Sequence, residues 1–169
     1  MKKNKPLILV VNDDGITAPG IRILIKTMLE IGDVVVVAPD RPQSGMGHAI
    51  TLDKMIRCES IKIDEGLQKD YSCTGTPVDC VKLAVNKILS KKPDLLVSGI
   101  NHGSNSSINV IYSGTISAAI EGALEGIPSI GFSLLDYSWD ANFIPSLKYI
   151  KIIAKNALKH GFPKGICLN

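Results

Sequence analysis

Two adjacent carboxylates, Asp13 and Asp14, come one residue after the apolar run Leu7–Val11. Two like charges held this close cost free energy unless a cation neutralises them. Carboxylate oxygens are hard ligands that suit Mg²⁺ or Mn²⁺ rather than Zn²⁺. Ser44 and Asn101 each follow another predicted strand and could supply further oxygen ligands. The same residues also fit a solvated Asp-Asp-Gly turn, and both interpretations stay open at this point.

A candidate anion site lies at Ser113, Gly114 and Thr115, where a helix is predicted to begin. Free backbone N–H groups at a helix N-terminus favour an anion, and the two hydroxyls add donors. Residues 99–105 are rich in Gly and Asn and favour a phosphate site facing this helix. The alternative is that Ser113 is only an N-cap. Neither G-x-G-x-x-G nor G-K-[ST] occurs, so dinucleotide and P-loop sites lose their main support.

The histidines and cysteines carry weaker signals. His48 and His102 sit singly in predicted loops, where a histidine is more often a surface residue than a ligand, and His160 lies at a helix C-terminus. The cysteines are 58, 73, 80 and 167, and they form no C-x-x-C pair. We therefore expect no zinc ribbon or thioredoxin-type site, and a cytoplasmic protein with reduced thiols.

The elements that position these residues follow from the hydrophobic pattern. Residues 7–11, 34–37 and 95–97 are apolar runs that predict buried parallel strands, and residues 127–132 predict a fourth. Periodic apolar positions predict helices over about 21–29, 78–89, 116–124 and 147–158. Residues 57–74 predict a small antiparallel excursion, and 166–168 predict the opening of another strand. The alternation indicates a doubly wound α/β sheet, whose ligands bind beyond the carboxyl ends of the strands.

Composition limits the function classes. The 169 residues are 45% hydrophobic and 21% charged, which excludes a disordered chain. The net charge of +3 is scattered, so no stripe for a nucleic-acid polymer is expected. No apolar stretch approaches the roughly 18 residues of a membrane span. We predict one domain over 1–169, and because the chain stops inside a predicted strand we expect a missing C-terminal part.

Five motifs in order resemble the SurE survival-protein family of nucleotidases. They are Asn12–Gly15, Ala38-Pro39 with Gln43–Gly45, Gly75–Cys80, Ser98–Asn105, and Tyr112–Thr115 with Ala118-Ala119. The resemblance runs from about residue 7 to the end of the chain. It implies a Rossmann-like fold and a divalent-metal-dependent phosphatase acting on nucleoside 5′- and 3′-monophosphates. Family members are longer, and their C-terminal part builds homodimers and homotetramers.

The resemblance also implies the site residues. The metal, one Mg²⁺ or Mn²⁺, would be held by Asp13, Asp14, Ser44 and Asn101, with the acidic pair as catalytic residues. The phosphate would contact Asn105, Ser113, Gly114 and Thr115. In this interpretation the metal polarises a phosphoryl oxygen and the helix N-terminus takes up charge on the equatorial oxygens.

Two alternatives from other classes stay open. A nucleotide-binding sensor would keep the same ligand set without turnover. A signalling receiver module also carries an acidic pair after its first strand, but it needs a phospho-accepting Asp after strand three, where this sequence has Asn101. It also needs a later lysine, and residues 130–133 read Ile-Gly-Phe-Ser. The receiver is therefore the weaker alternative.

Overall fold

The fold is known from a computed structural model, which describes residues 5–138 and 140–169. Within these residues, seven strands form one sheet. The strands are β1 (Leu7–Val11), β2 (Asp33–Pro39), β3 (Cys58–Ile61), β4 (Lys69–Cys73), β5 (Leu95–His102), β6 (Ser129–Leu134) and β7 (Cys167–Leu168). The α-helices are α1 (Pro19–Leu29), α2 (Pro77–Leu83), α3 (Gly114–Leu124) and α4 (Leu147–His160).

The strand order is β3-β4-β2-β1-β5-β6-β7, and every pair is parallel except the antiparallel β3–β4 pair. The prediction of a doubly wound, mostly parallel sheet is confirmed. After β1 the chain first builds outward through β2 and later returns to place β5 on the other side of β1. This reversal creates a crevice at the carboxyl ends of β1 and β5, the usual ligand position in such sheets.

Strand β1 shows why the central strands are unbroken apolar runs in the sequence. Ile8 and Val10 pack on one face of the sheet against α1 and α4. Leu9 and Val11 pack on the other face in the cluster that includes α2 and α3. All four side chains are fully buried, and burying a side chain of this size stabilises the fold by about 1.5–3 kcal/mol.

The start of α2 follows its predicted capping residues. The Thr76 hydroxyl accepts a hydrogen bond from the backbone N–H of Asp79 (3.1 Å), and the Asp79 carboxylate accepts one from the backbone N–H of Thr76 (2.9 Å). This reciprocal pair is a capping box. The predicted single helix over 78–89 is wrong in its second half, because a π-helical segment, Ala84–Ile88, follows α2.

Strand β5 is longer than its apolar run predicted. The sequence predicts a strand over 95–97 followed by a loop, but pairing with β6 continues to His102 after a register shift between Ser98 and Asn101. Gly99 has φ +123° there, and the Gly99–Ile100 peptide bond is cis. Backbone pairing needs no apolar side chain, so periodicity could not show this extension.

The antiparallel excursion expected over 57–74 is confirmed as the β3–β4 hairpin. The sequence did not predict that β4 also joins the main sheet in parallel with β2. Asp70 is buried in β4 because the Arg22 guanidinium on α1 donates to its carboxylate at 2.8 Å. The Gln68 side chain donates to the same carboxylate at 3.0 Å, but the charge that offsets burial of Asp70 comes from a distant helix.

The expectation that all four thiols are reduced is wrong for two of them. Cys58 and Cys73 stand opposite each other on β3 and β4 and form a disulfide. Cys80 and Cys167 are free. Burial raises the pKa of both remaining thiols, so neither is an activated nucleophile at neutral pH.

Candidate active site

A cavity of about 370 Å³ lies at the carboxyl ends of β1 and β5. Six of the eight predicted site residues line it, namely Asp13, Asp14, Ser44, Asn101, Asn105 and Ser113. The other two, Gly114 and Thr115, lie behind Asp13 at the start of α3. The structure therefore brings together residues that are up to 102 positions apart in the chain.

Asp13 is the most buried carboxylate of the site, with 4% of its surface exposed. The Thr115 hydroxyl donates a hydrogen bond to its Oδ1. Gly114 packs directly behind it, since a Cβ at position 114 would lie 2.6 Å from the Asp13 Cβ. Burial raises the pKa of Asp13 to about 6, opposed by the Thr115 hydrogen bond and assisted by the charge of Asp14. A nearby cation would remove this penalty.

Asp14 is less buried and has a basic neighbour. Its Oδ2 lies 3.7 Å from Nδ1 of His102, whose ring packs edge-on against Phe143 with the ring centroids 4.9 Å apart. Burial raises the pKa of Asp14, and the charge and hydrogen bonding of His102 oppose that rise. The expectation that His102 is an ordinary surface residue is wrong, because β5 continues far enough to bring the ring against Asp14.

The turn after β1 is held from both sides. The Asn12 amide donates to the carbonyl of Gly15 at 2.8 Å, and the backbone N–H of Ile16 donates to the carbonyl of Pro39 at 2.9 Å. Gly15 has φ +98°, a conformation that other residues rarely adopt, and the backbone of Arg41 packs against it. This turn fixes the direction in which both carboxylates point.

Asn101 presents an oxygen rather than a nitrogen to the acidic pair. Its amide nitrogen donates to the carbonyls of His102 (2.8 Å) and Gly103 (3.1 Å). That leaves Oδ1 pointing the other way, 3.4 Å from the Thr115 hydroxyl that also contacts Asp13. The amide oxygen is thereby left as an oxygen donor near Asp13.

Ser44 reaches the cavity on an irregular loop, residues 40–57, which we call the Ser44 loop. The backbone N–H of Gln43 donates to the carbonyl of Asp13 at 2.7 Å. The backbone N–H of Gly47 donates to the carbonyl of Tyr112 at 3.1 Å. Ser44 therefore lies between a contact to the acidic turn and a contact to the segment before α3.

The structure confirms that Ser113 is the N-cap of α3. Its Oγ accepts a hydrogen bond from the backbone N–H of Ile116 at 3.0 Å. Accepting this bond leaves the hydroxyl proton free to donate, and Ser113 lines the cavity. Asn105, across the cavity, donates one amide N–H to the Ser133 hydroxyl at 2.9 Å and keeps a second N–H. The cap and an anion contact are therefore compatible roles.

Two tyrosines also line the cavity, and the sequence analysis gave neither of them a role in the site. Tyr112 and Tyr137 both line it, and both are more than half exposed. The Tyr137 hydroxyl accepts a hydrogen bond from the backbone N–H of Ser104 at 3.1 Å, and Gly103 lies under its ring. Tyr112 is the first residue of the last of the five motifs, which is a signal that could have marked it. Tyr137 follows β6 in an irregular segment, and no pattern marks it.

The donor set fits a hard divalent cation. Over residues 5–138 and 140–169, no group of three or more His, Cys, Asp or Glu residues is placed to hold a metal. The predicted set instead combines two carboxylates with one hydroxyl and one amide oxygen. Oxygen donors of this kind suit Mg²⁺ or Mn²⁺, which tolerate neutral ligands and retain water.

The fold and the cavity together define a Rossmann-like α/β protein with an acidic pair facing a helix N-terminus. Residues 8–169 match the sequence model of the family described as "Survival protein SurE". The chain belongs to the SurE family, and the resemblance inferred from its motifs is confirmed.

Individual proteins similar to this chain also belong to the SurE family. Over its full length the chain is 67% identical to the 5′-nucleotidase SurE of Christiangramia forsetii and 64% identical to that of Flavobacterium johnsoniae. It spans 65% of the length of each. The crystal structure of the SurE protein from Aquifex aeolicus superposes with a TM-score of 0.84 at 44% identity, covering 94% of this chain and 62% of that one.

None of the helices found within residues 5–138 and 140–169 has the length and apolar character needed to cross a membrane.

Proposed function

We propose that this chain carries the active site of a divalent-metal-dependent phosphatase that converts nucleoside 5′-monophosphates, and 3′-monophosphates, to nucleoside and phosphate. One observation carries the proposal: four oxygen donors and a capped helix N-terminus meet in one cavity at the reversal point of the sheet. The relatives described above are 5′-nucleotidases, which supports the same substrate class.

The metal-binding residues in this proposal are Asp13, Asp14, Ser44 and Asn101. When bound, one Mg²⁺ or Mn²⁺ would polarise a phosphoryl oxygen and lower the pKa of a coordinated water. The two carboxylates supply the charge that attracts the cation. Asn101 supports this assignment because its amide nitrogen is already committed to two carbonyls.

Of the four residues predicted for the phosphate site, Asn105 and Ser113 would contact the phosphate directly, while Gly114 and Thr115 support Asp13 at the start of α3. The Ser113 hydroxyl and the second amide N–H of Asn105 donate to phosphate oxygens, and the N-terminus of α3 favours their negative charge. Thr115 acts mainly through Asp13, because its buried hydroxyl is already used there. Gly114 lets Asp13 lie against the helix start, where a larger residue would displace it.

The catalytic residues are Asp13 and Asp14. Hydrolysis needs a water aligned with the scissile P–O bond, and a carboxylate within hydrogen-bond reach can orient it and accept its proton. Asp13 is the better placed of the two, because Thr115 and Gly114 hold its side chain in one position. The free cysteines take no part, since burial keeps their thiols protonated.

Assembly and compartment are part of the proposal. We expect the full-length protein to form a homodimer or homotetramer in the cytoplasm, with neither a membrane nor a nucleic-acid polymer as partner. Disulfides are uncommon in that compartment, so the Cys58–Cys73 pair makes the location testable. Counting reactive thiols in rapidly alkylated extracts measures whether the pair is reduced in the cell.

The experiment is phosphate release from a panel of nucleoside 5′- and 3′-monophosphates, with the full-length protein in EDTA, Mg²⁺ or Mn²⁺. We expect release only with metal present. Full activity after metal stripping contradicts the metal site. Binding of metal and nucleotide with no phosphate release contradicts turnover and leaves a nucleotide-binding sensor as the function.

A further inference from the structure

A buried carboxylate outside the cavity has no part in the mechanism above. Glu121 lies on α3 with 5% of its side chain exposed. Its Oε2 is 2.8 Å from Nε2 of His48, and its Oε1 is 2.7 Å from Nζ of Lys82 on α2. One carboxylate therefore joins three segments of the protein: α3, α2 and the Ser44 loop, to which His48 belongs.

The buried negative charge of Glu121 is stabilised by its contacts to Lys82 and His48. Burial raises the pKa of its carboxyl, but the hydrogen bonds from Lys82 and His48 outweigh burial, and the net pKa is lowered. Glu121 is thus ionised at neutral pH. A buried carboxylate that loses a partner costs free energy, so the folded state favours conformations in which both partners stay in place.

The Ser44 loop depends on such polar contacts. Residues 40–57 contain no helix or strand, and Met46 and Met55 are exposed rather than packed in the core. After Ser44 the loop is held to α3 and the segment before it by Gly47, which contacts Tyr112, and by His48. Further along, Ala49 and Thr51 hold the loop to the start of α2 through Thr76 and Asp79. Ser44 thus lies between the Gln43 contact to Asp13 on one side and the contacts of Gly47 and His48 on the other, and His48 is the side chain that ties this part of the loop to α3.

We propose that His48 is a positioning residue, which holds the Ser44 loop against α3 through Glu121 so that Ser44 completes the cation site. This inference rests on the proposed function, because it requires a cation at the acidic pair. Ser113 and Gly114 lie at the start of α3. The contact between His48 and Glu121 therefore also fixes the distance between the cation-binding part and the phosphate-binding part of the site.

A matched pair of variants separates positioning from general stability. In His48→Gln the side-chain amide reaches about as far from the backbone as the ring Nε2 and can still donate to Glu121. His48→Asn is equally polar but one methylene shorter, so it loses the contact. Lys82→Ala is the control, because it removes the other partner of Glu121 and leaves the loop contact intact.

The measurement is the Kd of Mn²⁺ for the full-length protein without substrate, by calorimetry, beside a melting curve. Outer-shell contacts around metal sites are worth about ten- to a hundredfold in affinity. We expect His48→Asn to weaken Mn²⁺ binding by about tenfold and His48→Gln to restore most of it. Lys82→Ala should lower the melting temperature with Mn²⁺ affinity unchanged.

Equal Mn²⁺ affinity in the Asn and Gln variants would overturn the inference, as would an equal loss in Lys82→Ala, since charge balance rather than loop position would then control the site. If the unaltered protein binds no Mn²⁺, the proposed metal site fails and the inference fails with it. Mn²⁺ binding by the unaltered protein, undiminished in His48→Asn, overturns only the inference.

Discussion

Replacing Asp13 by Asn should stabilise the metal-free protein. Asp13 is almost completely buried, and burial raises the pKa of its carboxyl from 3.8 to about 6. Asn has the shape of the protonated acid and keeps an oxygen that can accept the Thr115 hydrogen bond. The variant therefore removes the cost of a buried charge and leaves the packing behind it unchanged.

The magnitude follows from proton linkage. Between pH 3.8 and about 6 the folded state binds more protons at Asp13 than the unfolded state does, so this residue makes stability fall as pH rises through that window. One pKa unit corresponds to about 1.36 kcal/mol, so the full effect is about 3 kcal/mol above pH 7 and close to zero near pH 3. For a chain of this size that is about 6–12 °C in melting temperature.

The assay is reversible urea unfolding of both proteins in EDTA at several pH values, with melting curves alongside. We expect the variant to be more stable at pH 7.5 and the difference to shrink as pH falls. Saturating Mn²⁺ should stabilise only the unaltered protein, because the variant lacks one of the two charges of the proposed metal site. Equal stability at pH 7.5 in EDTA, or a difference independent of pH, would refute the assignment of Asp13 as a strained, buried anion.

Three further substitutions test the other parts of the site. Asp14→Asn should lower phosphatase activity by about a hundredfold or more with little change in stability. If the variant stays active but loses stability, Asp13 and Asp14 have a structural role instead. Ser113→Ala should cost about 0.5–2 kcal/mol of stability through the lost cap. It should also weaken inorganic phosphate binding by roughly ten- to a hundredfold, and unchanged phosphate affinity would leave Ser113 a cap alone. Gly114→Ala places a methyl 2.6 Å from the Asp13 Cβ, so activity should fall more than the melting temperature does; retained activity would show that Asp13 can move.

The hydrophobic pattern of the sequence was sufficient to predict most strands of the central sheet. Unbroken apolar runs such as Leu7–Val11 occur when a strand is buried on both faces, and that burial requires helices on both sides. The rule that ligands bind beyond the carboxyl ends of parallel strands then located the acidic pair and Asn101 at one edge. These inferences need only local periodicity and chain direction, which a sequence contains.

Tertiary structure decided which polar residues meet. His102 read as a surface residue because nothing local shows that β5 runs past its apolar part and brings the ring to Asp14. The contact between His48 and Glu121 joins residues 73 positions apart, and the burial of Asp70 depends on Arg22, 48 positions away. Hydrophobic periodicity in the sequence indicates which face of a helix or strand is apolar. The pairing of buried charges depends instead on distances between residues that are far apart in the chain. Those distances are set only when the sheet has positioned its helices and loops.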